Sequence, residues 1–419
     1  MNKKILESII NGVGTPFFLY EYEKIKQQYN KLFNALPFSS KIYNSGKANP
    51  SLAICQVMKT FTEYAEVSSL QEILCAQKCG FENRNILFSG PGKTTEELEY
   101  AIKHNITINV ESKGEVLSIH EICSEMGIAS NILIRINPGF SNPKYGITMS
   151  GVASQFGVDI SDVGNLIQII QTKTKINIKG FSVYLGSQIL DANVIIDNTK
   201  KILELFIELI NEYRIDVQSL NFGGGFGISY FDNKELDYSL LKSGLNDLFK
   251  KYNGALQEVN IFFESGRFLL AESGSFITKV LYIKKSKGKE YLICDGGFNN
   301  ILISSFFTRE LRGNFPIEVC NYHNEPEQKE YTICGPLCSP NDKFGCNILL
   351  PVVNEGDIIM VKKVGAYGLT YSPVLFISHI VPAEILIRDD QYYVIRSSSN
   401  NEYYFDNQYM LPQEVLNKC

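Results

Sequence analysis

Lys47 stands in the stretch Lys41 to Pro50, KIYNSGKANP, where Ile42 and Tyr43 read as the end of a buried strand and Asn44, Ser45 and Gly46 leave room beside the amine. A lysine held at a strand end can lose water, and desolvation lowers an amine's pKa towards the range in which it attacks a carbonyl. Taken alone the residue reads better as a solvated loop lysine, and other parts of the chain overturn that reading. Gly223, Gly224 and Gly225, followed by Phe226 and Gly227, come directly after the apolar run SLNF. Consecutive glycines either serve a tight turn needed for packing or let backbone amides converge on an anion, usually a phosphate. The run lacks the lysine and serine of a Walker loop and the spacing of a dinucleotide loop, so the phosphate of a smaller cofactor fits it better. Glu264, Ser265, Gly266 and Arg267 close a further apolar run. Glu264 and Arg267 read either as a structural ion pair or as separate tools, a carboxylate that keeps a ring nitrogen protonated and a fork of donors for a phosphate. An imine-forming lysine, a phosphate loop and a carboxylate for a ring nitrogen together describe pyridoxal 5'-phosphate.

Strands must deliver these residues to one place. The runs KIYNSGK, TEYAEVSS, NILFSGPGK, ITINVES, NILIRINPG, IKGFSVYLGS, SLNFGGGFG and NIFFESGR alternate with amphipathic helical patterns such as Leu70 to Lys78, Lys113 to Met126 and Asn193 to Tyr213. That alternation predicts a (β/α)8 TIM barrel, with the site at the carboxyl ends of its strands. From about Leu270 the pattern changes to short β-rich runs joined by turns, which predicts a C-terminal all-β, barrel-like domain. The expected division is an N-terminal segment over 1–24 that packs with the C-terminal domain, a cofactor-binding barrel over 25–270 and the β-domain over 271–419.

Composition narrows the function. The chain has 419 residues, 44% hydrophobic and 20% charged, as expected of a soluble globular protein of two domains. A net charge of −5 with no basic run argues against nucleic acid as a partner. No apolar segment is long enough for a bilayer, and the start MNKKILESIINGVG lacks a signal peptide's apolar core, so no membrane association and a cytoplasmic location are expected. Ten scattered cysteines do not form a disulfide framework. Cys75 and Cys79 are one helical turn apart, as are Cys334 and Cys338, but zinc would want a second pair with histidines nearby; no metal site is expected.

KANP at the lysine, GGGFG, ESGR, CSPND and GAYG occur in the order found in the fold-type III pyridoxal-phosphate decarboxylases, and the chain resembles that family, which includes diaminopimelate and ornithine decarboxylases, over essentially its whole length. The resemblance implies that Lys47 carries the cofactor as an imine, that Gly223, Gly224, Gly225, Ser187 and Arg267 hold its phosphate, that Gly266 also belongs to the cofactor site, and that Glu264 pairs with the pyridine nitrogen. It further implies a homodimer with shared active sites, in which Cys338, the candidate acid, and Tyr367 reach into the partner's barrel mouth. Amino-acid racemases and pyridoxal-phosphate carriers share the barrel chemistry, but a racemase releases no carbon dioxide and the carriers resemble the barrel alone.

Two departures from the family pattern bear on the substrate. Tyr184 stands where the family commonly stacks a histidine, and it carries no charge near neutral pH. Ser339 replaces the acidic residue that typically follows the cysteine and grips a distal amine, which leaves Ser339, Asn341 and Asp342 as candidate substrate contacts. The pattern is most similar to the subgroup that decarboxylates conjugated amino acids in antibiotic or siderophore biosynthesis, such as L-glutamyl acyl-carrier-protein decarboxylases and those of citrate-derived siderophore pathways. It resembles the diaminopimelate decarboxylases of lysine biosynthesis less.

Overall fold

The computed structural model describes residues 3–37, 39–141, 147–231, 234–302, 313–320 and 327–416. They form two compact units, one of Tyr22–Ser273 with Gly365–Tyr367, the other of Met1–Glu21, Gly274–Val364 and Gly368–Cys419.

The first unit is a (β/α)8 barrel. Among the described residues its eight parallel strands are Ser40–Ser45, Tyr64–Val67, Ile86–Phe88, Thr107–Val110, Ser130–Asn137, Ile176–Ser182, Ser219–Asn221 and Asn260–Ser265. Each of the eight apolar runs supplies one. The eighth strand pairs with the first, and the fourth with the fifth, so the sheet closes. Three successive strand-to-helix turns carry the same local signal, a serine or threonine followed three residues later by glutamate. Ser69, Thr94 and Ser112 accept the backbone amides of Glu72, Glu97 and Glu115, and Glu97 returns the bond to Thr94 in a full capping box. Each cap satisfies an amide that the first helical turn cannot, and so sets where the helix begins after its strand.

Alternation along the strands sorts their inward residues into layers. A lower layer is apolar: the Tyr43 and Phe262 rings stack at 4.5 Å, Tyr64 meets Phe262 edge-on, and Leu87 and Leu133 complete the cluster. Two residues further along the same strands come Ser45, Glu66, Ser89, Arg135 and Glu264, so a step of two exchanges an apolar layer for a polar one nearer the mouth. One irregularity sets the register. Lys179 is an extra residue between Ile178, paired with Ile132, and Gly180, paired with Leu133. Directly after this bulge Gly180 lies so close to the seventh strand that an added Cβ would meet the Ser219 carbonyl oxygen at 1.7 Å.

In the second unit, helix Lys3–Val13 precedes strand Phe17–Glu21, which lies between Gly274–Ser286, antiparallel to it, and Ala383–Arg388, parallel to it. Leu6 and Ile9 of the helix pack with Phe17, Leu19, Ile277, Met360 and Ile385 in one buried cluster. Lys289–Cys294, Gln328–Cys334 and Lys343–Pro351 extend the sheet on one side and Gln391–Arg396 on the other. The sequence reading passed over Lys343–Pro351, whose opening KFGCN lacks β-branched residues; its pairing with Gln328–Cys334 makes it a strand.

The Gly180 contact yields a stability prediction. Gly180→Ala must displace the backbone of the neighbouring strand, so urea unfolding should show a loss of at least about 2 kcal/mol, whereas Gly254→Ala, with open space around its Cβ position, should stay within about 1 kcal/mol.

Candidate active site

Lys47 follows the first barrel strand on a short helical turn, Gly46–Ala48. Its side chain is 43% exposed, and its amine lies 3.2 Å from Oε2 of Glu66, itself 2% exposed, at the end of the second strand. Lys93 is the structural counterpart to this exposed lysine. The Lys93 amine is buried and donates to the Gly90 and Asn109 carbonyls and to Glu115, which uses all three of its protons.

The sequence reading expected desolvation to lower the pKa of Lys47, and the structure corrects that expectation. Desolvation does act downward, but the carboxylates of Glu66 and Glu264, with the phenols of Tyr367 and Tyr184, outweigh it and hold the ammonium above the usual lysine range. Glu66 answers in kind: burial alone would raise it, and the charge of Lys47, with hydrogen bonds from Lys47 and Ser45, brings it below the ordinary carboxylate value. Glu264 is pushed up to about 7 by burial and by the charge of Glu66, against the pull of Lys47, Arg135 and its Asn221 hydrogen bond. That bond, Asn221 Nδ2 to Glu264 Oε1, is 2.7 Å long.

The glycine run sits at the mouth beside these groups. A Cβ on Gly223 would meet the Val183 carbonyl at 2.4 Å, one on Gly224 the Glu264 carbonyl at 2.0 Å, and one on Gly225 the Gly186 carbonyl at 2.3 Å. Gly223 and Gly225 also take left-handed backbone angles, φ +65 and +95. No other residue type fits these positions. The Gly223 amide is taken by Asn221 Oδ1, while those of Gly224 and Gly225 donate to no group among the described residues.

Arg267, just past the eighth strand, stacks on the Tyr367 ring with its guanidinium carbon 4.5 Å from the centroid, and one of its terminal nitrogens donates to the Tyr230 hydroxyl. Its Nε is buried without a partner among the described residues. A buried guanidinium nitrogen with no acceptor is costly, so the geometry asks for an anion there. Tyr184 turns its ring to Lys47, 6.0 Å from centroid to amine, and hydrogen-bonds Ser187; burial pushes its phenol up to about 12, so it stays neutral.

Lys47, Tyr184, Ser187, Gly223 to Gly225, Glu264, Gly266, Arg267 and Tyr367 thus share one unit. For Tyr367 this corrects the expectation that it enters the partner's mouth. Residues 365–367 group with the barrel of their own chain, because the Tyr367 amide bonds Ala48, the Gly365 amide bonds Ala271, and Asn49 holds the Gly365 carbonyl. Tyr367 takes this place at the cost of a left-handed backbone, φ +57.

Cys338, Ser339, Asn341 and Asp342 lie in the other unit, on the turn between strands Gln328–Cys334 and Lys343–Pro351. Cys338 and Asn341 are exposed, and the Ser339 hydroxyl accepts the Asn341 amide. Asp342 does not fit the substrate role expected of it. It is 2% exposed, with its carboxylate accepting the amides of Phe298 and Leu337 at 2.8 Å each, so it shapes the turn and offers no free charge.

Sequence reasoning missed Glu66, Asn221, Tyr230 and the buried pair Arg135 and Glu111, 2.9 Å apart. The signal was present in TEYAEVSS and NILIRINPG, where a charge interrupts a strand's apolar run at an inward position. One consequence of the Glu66 contact can be measured. Glu66→Gln removes the strongest support for the Lys47 ammonium, lowering its pKa and enlarging the neutral fraction, so condensation with pyridoxal phosphate at pH 7 should be at least about tenfold faster. Stopped-flow absorbance against pH should show the rate profile moved to lower pH; an unmoved profile would discount the Glu66 charge.

Residues 22–271 match the family model of the pyridoxal-dependent decarboxylase, pyridoxal binding domain. The chain is 35% identical over 388 residues to the L-glutamyl-[BtrI acyl-carrier protein] decarboxylase of Niallia circulans, covering 91% of each. It is 29% identical to the 2-[(L-alanin-3-ylcarbamoyl)methyl]-2-hydroxybutanedioate decarboxylase of Staphylococcus aureus, covering 88% of this chain and 93% of that protein. Among solved structures, diaminopimelate decarboxylase of Helicobacter pylori complexed with L-lysine superposes with a TM-score of 0.86 at 31% identity, covering 96% of this chain and 98% of that one. By this match and these likenesses, the chain belongs to the family of pyridoxal-phosphate-dependent decarboxylases.

Proposed function

We propose that this decarboxylase removes the α-carboxylate of an L-amino-acid unit whose distal end is conjugated, as a carrier-protein thioester or a citryl amide or ester, in secondary metabolism. The observation that carries this reading is the turn around Cys338. Ser339 follows the cysteine, and the nearby carboxylate, Asp342, is taken up by the Phe298 and Leu337 amides. A free distal ammonium would meet no acidic partner on this turn, while the Ser339 hydroxyl and the Asn341 amide suit a neutral end. The relatives from Niallia circulans and Staphylococcus aureus are named for substrates of that kind, which supports the reading. The L-lysine held by the superposed structure favours a second one, a diaminopimelate decarboxylase.

In the proposed site Lys47 would carry the cofactor, and the buried Arg267 Nε, the amides of Gly224 and Gly225 and the Ser187 hydroxyl would take its phosphate. The cofactor supplies the electron sink for the pair left behind when the α-carboxylate departs as carbon dioxide. Glu264 would hold the proton on the cofactor's ring nitrogen; a carboxyl raised to about 7 by burial and by Glu66 would gain most from a cationic partner. Tyr184 would offer the cofactor a neutral plane, and Tyr367 keeps the guanidinium of Arg267 in place. Cys338, contributed by the partner of a homodimer, returns a proton to the α-carbon. Among the described residues no helix is long and apolar enough to cross a membrane, and the cytoplasm is the proposed location.

The test of the substrate is carbon dioxide release from free diaminopimelate, ornithine and lysine against distal amide, ester or thioester conjugates of similar length. Lack of a partner for a buried ammonium costs about 3 kcal/mol or more, so conjugates should lead in kcat/KM by roughly a hundredfold. Equal or better turnover of the free diamino acids would favour the lysine-pathway reading, and an inverted product without carbon dioxide would make the protein a racemase.

Shared sites predict complementation. Lys47→Ala and Cys338→Ala proteins, each inactive alone, should regain activity when mixed under conditions of subunit exchange, up to about a quarter of wild type from one restored site in half the dimers. A mixture that exchanges subunits, as shown by native mass spectrometry, and stays inactive would place Cys338 in its own chain's site or outside any.

A further inference from the structure

Behind the loop that bears Lys47, three cysteines converge. Cys55 lies on helix Leu52–Lys59, Cys75 lies on the last turn of helix Leu70–Lys78, and Cys79 caps that helix. A spacing of four puts Cys75 and Cys79 on one helical face, and packing of the two helices brings all three sulfurs within 4.8 Å of one another. Cys55 is buried, the other two are half-buried, and all are free thiols. The Cys75 thiol donates to the Pro50 carbonyl and the Cys79 thiol to that of Leu52, so the group also grips the chain between Lys47 and its following helix.

We propose that Cys55, Cys75 and Cys79 form a binding site for a soft d10 metal ion, Zn2+ or Cu+, separate from the cofactor site. Sulfurs around a tetrahedral zinc ion at a Zn–S distance of about 2.3 Å stand roughly 3.8 Å apart, so the thiols need to close in by about an ångström or less, within reach of small side-chain rotations. Thiolates select soft ions over magnesium or calcium. No further histidine, cysteine or carboxylate among the described residues joins the group, so zinc would complete its shell with water, whereas Cu+ is satisfied by three sulfurs. Binding forms three metal–sulfur bonds, releases up to three thiol protons and moves no electrons. The sequence reading looked for histidines near the Cys75 and Cys79 pair; the missing ligand is Cys55 on the preceding helix. An ion here would staple the helix after the Lys47 strand to the helix after the Glu66 strand, making it a positioning device for that ion pair.

The test uses full-length protein, reduced, stripped with a chelator and given Zn2+ in one arm and Cu+ without oxygen in the other, with bound metal counted after desalting. About one equivalent per chain is expected in at least one arm, which identifies the ion, with at least a tenfold loss of affinity in Cys75→Ser and Cys79→Ser and none in Cys346→Ser. Because Cys55→Ser alters a buried position, the ligands are also read in unsubstituted protein with Co2+, whose thiolate charge-transfer band reports sulfur ligation. Substoichiometric metal in both arms, metal that survives both substitutions, a cobalt spectrum without that band, or a Cys75–Cys79 disulfide as the sole product would each overturn the proposal.

Discussion

Glu66 brings a buried negative charge into the barrel mouth, and the groups around it are arranged to answer that charge. Lys47 answers it at 3.2 Å, and Arg135, held by Glu111, adds a second positive charge behind it. Glu264 shares the same enclosure, and the competition leaves its carboxyl up to about 7 while Glu66 stays ionised. Two carboxylates in one poorly hydrated space cannot both be fully charged without cations between them. The mouth therefore holds a lysine that stays protonated, one carboxylate that is ionised and one poised near neutrality. A cofactor with a basic ring nitrogen and an anionic phosphate fits that pattern, since its nitrogen would offer Glu264 a cation and its phosphate would offer Arg267 an anion.

The constraint reaches down into the fold. Charges can face inward at the mouth only because a step of two along each strand exchanges the lower layer of Tyr43, Phe262, Leu87 and Leu133 for Ser45, Glu264, Ser89 and Arg135. The aromatic layer closes the barrel beneath the polar one and keeps water from screening it. The capped helices behind the second, third and fourth strands fix where those strands stop, and so how high Glu66 and its neighbours stand.

What could be read from the sequence followed from local pattern. The eight apolar runs, the helix Leu70–Lys78 and the β-rich second half all appear where periodicity placed them, because burial demands that periodicity directly. Lys47, the glycine run, Glu264 and Arg267 could be singled out because each stands at or just past the end of a strand in a fixed local order. Relations across the barrel were not. The sign of the Lys47 shift depends on Glu66, a strand away; the place of Tyr367 depends on backbone bonds to Ala48 and Ala271, far along the chain; and the Asp342 carboxylate is claimed by amides at Phe298 and Leu337. Such long-range partners leave no period in the sequence.

Tyr184 and Ser339 belong to the same electrostatic argument from opposite sides. A histidine at the Tyr184 position could become cationic, and a second positive charge beside Lys47 would loosen the ammonium that Glu66 and Glu264 hold. The phenol, pushed up to about 12, keeps a flat surface there without altering the charge count. An acidic residue at Ser339 would add a negative charge to a turn whose Asp342 is already buried and fully used. With serine there the turn exposes no acidic group, and such a turn discriminates by hydrogen bonding and shape. On the proposed function both replacements act in one direction: they would confine charge recognition to the lysine, the two glutamates and the guanidinium of the mouth, and would leave the distal end of the substrate to be held without it.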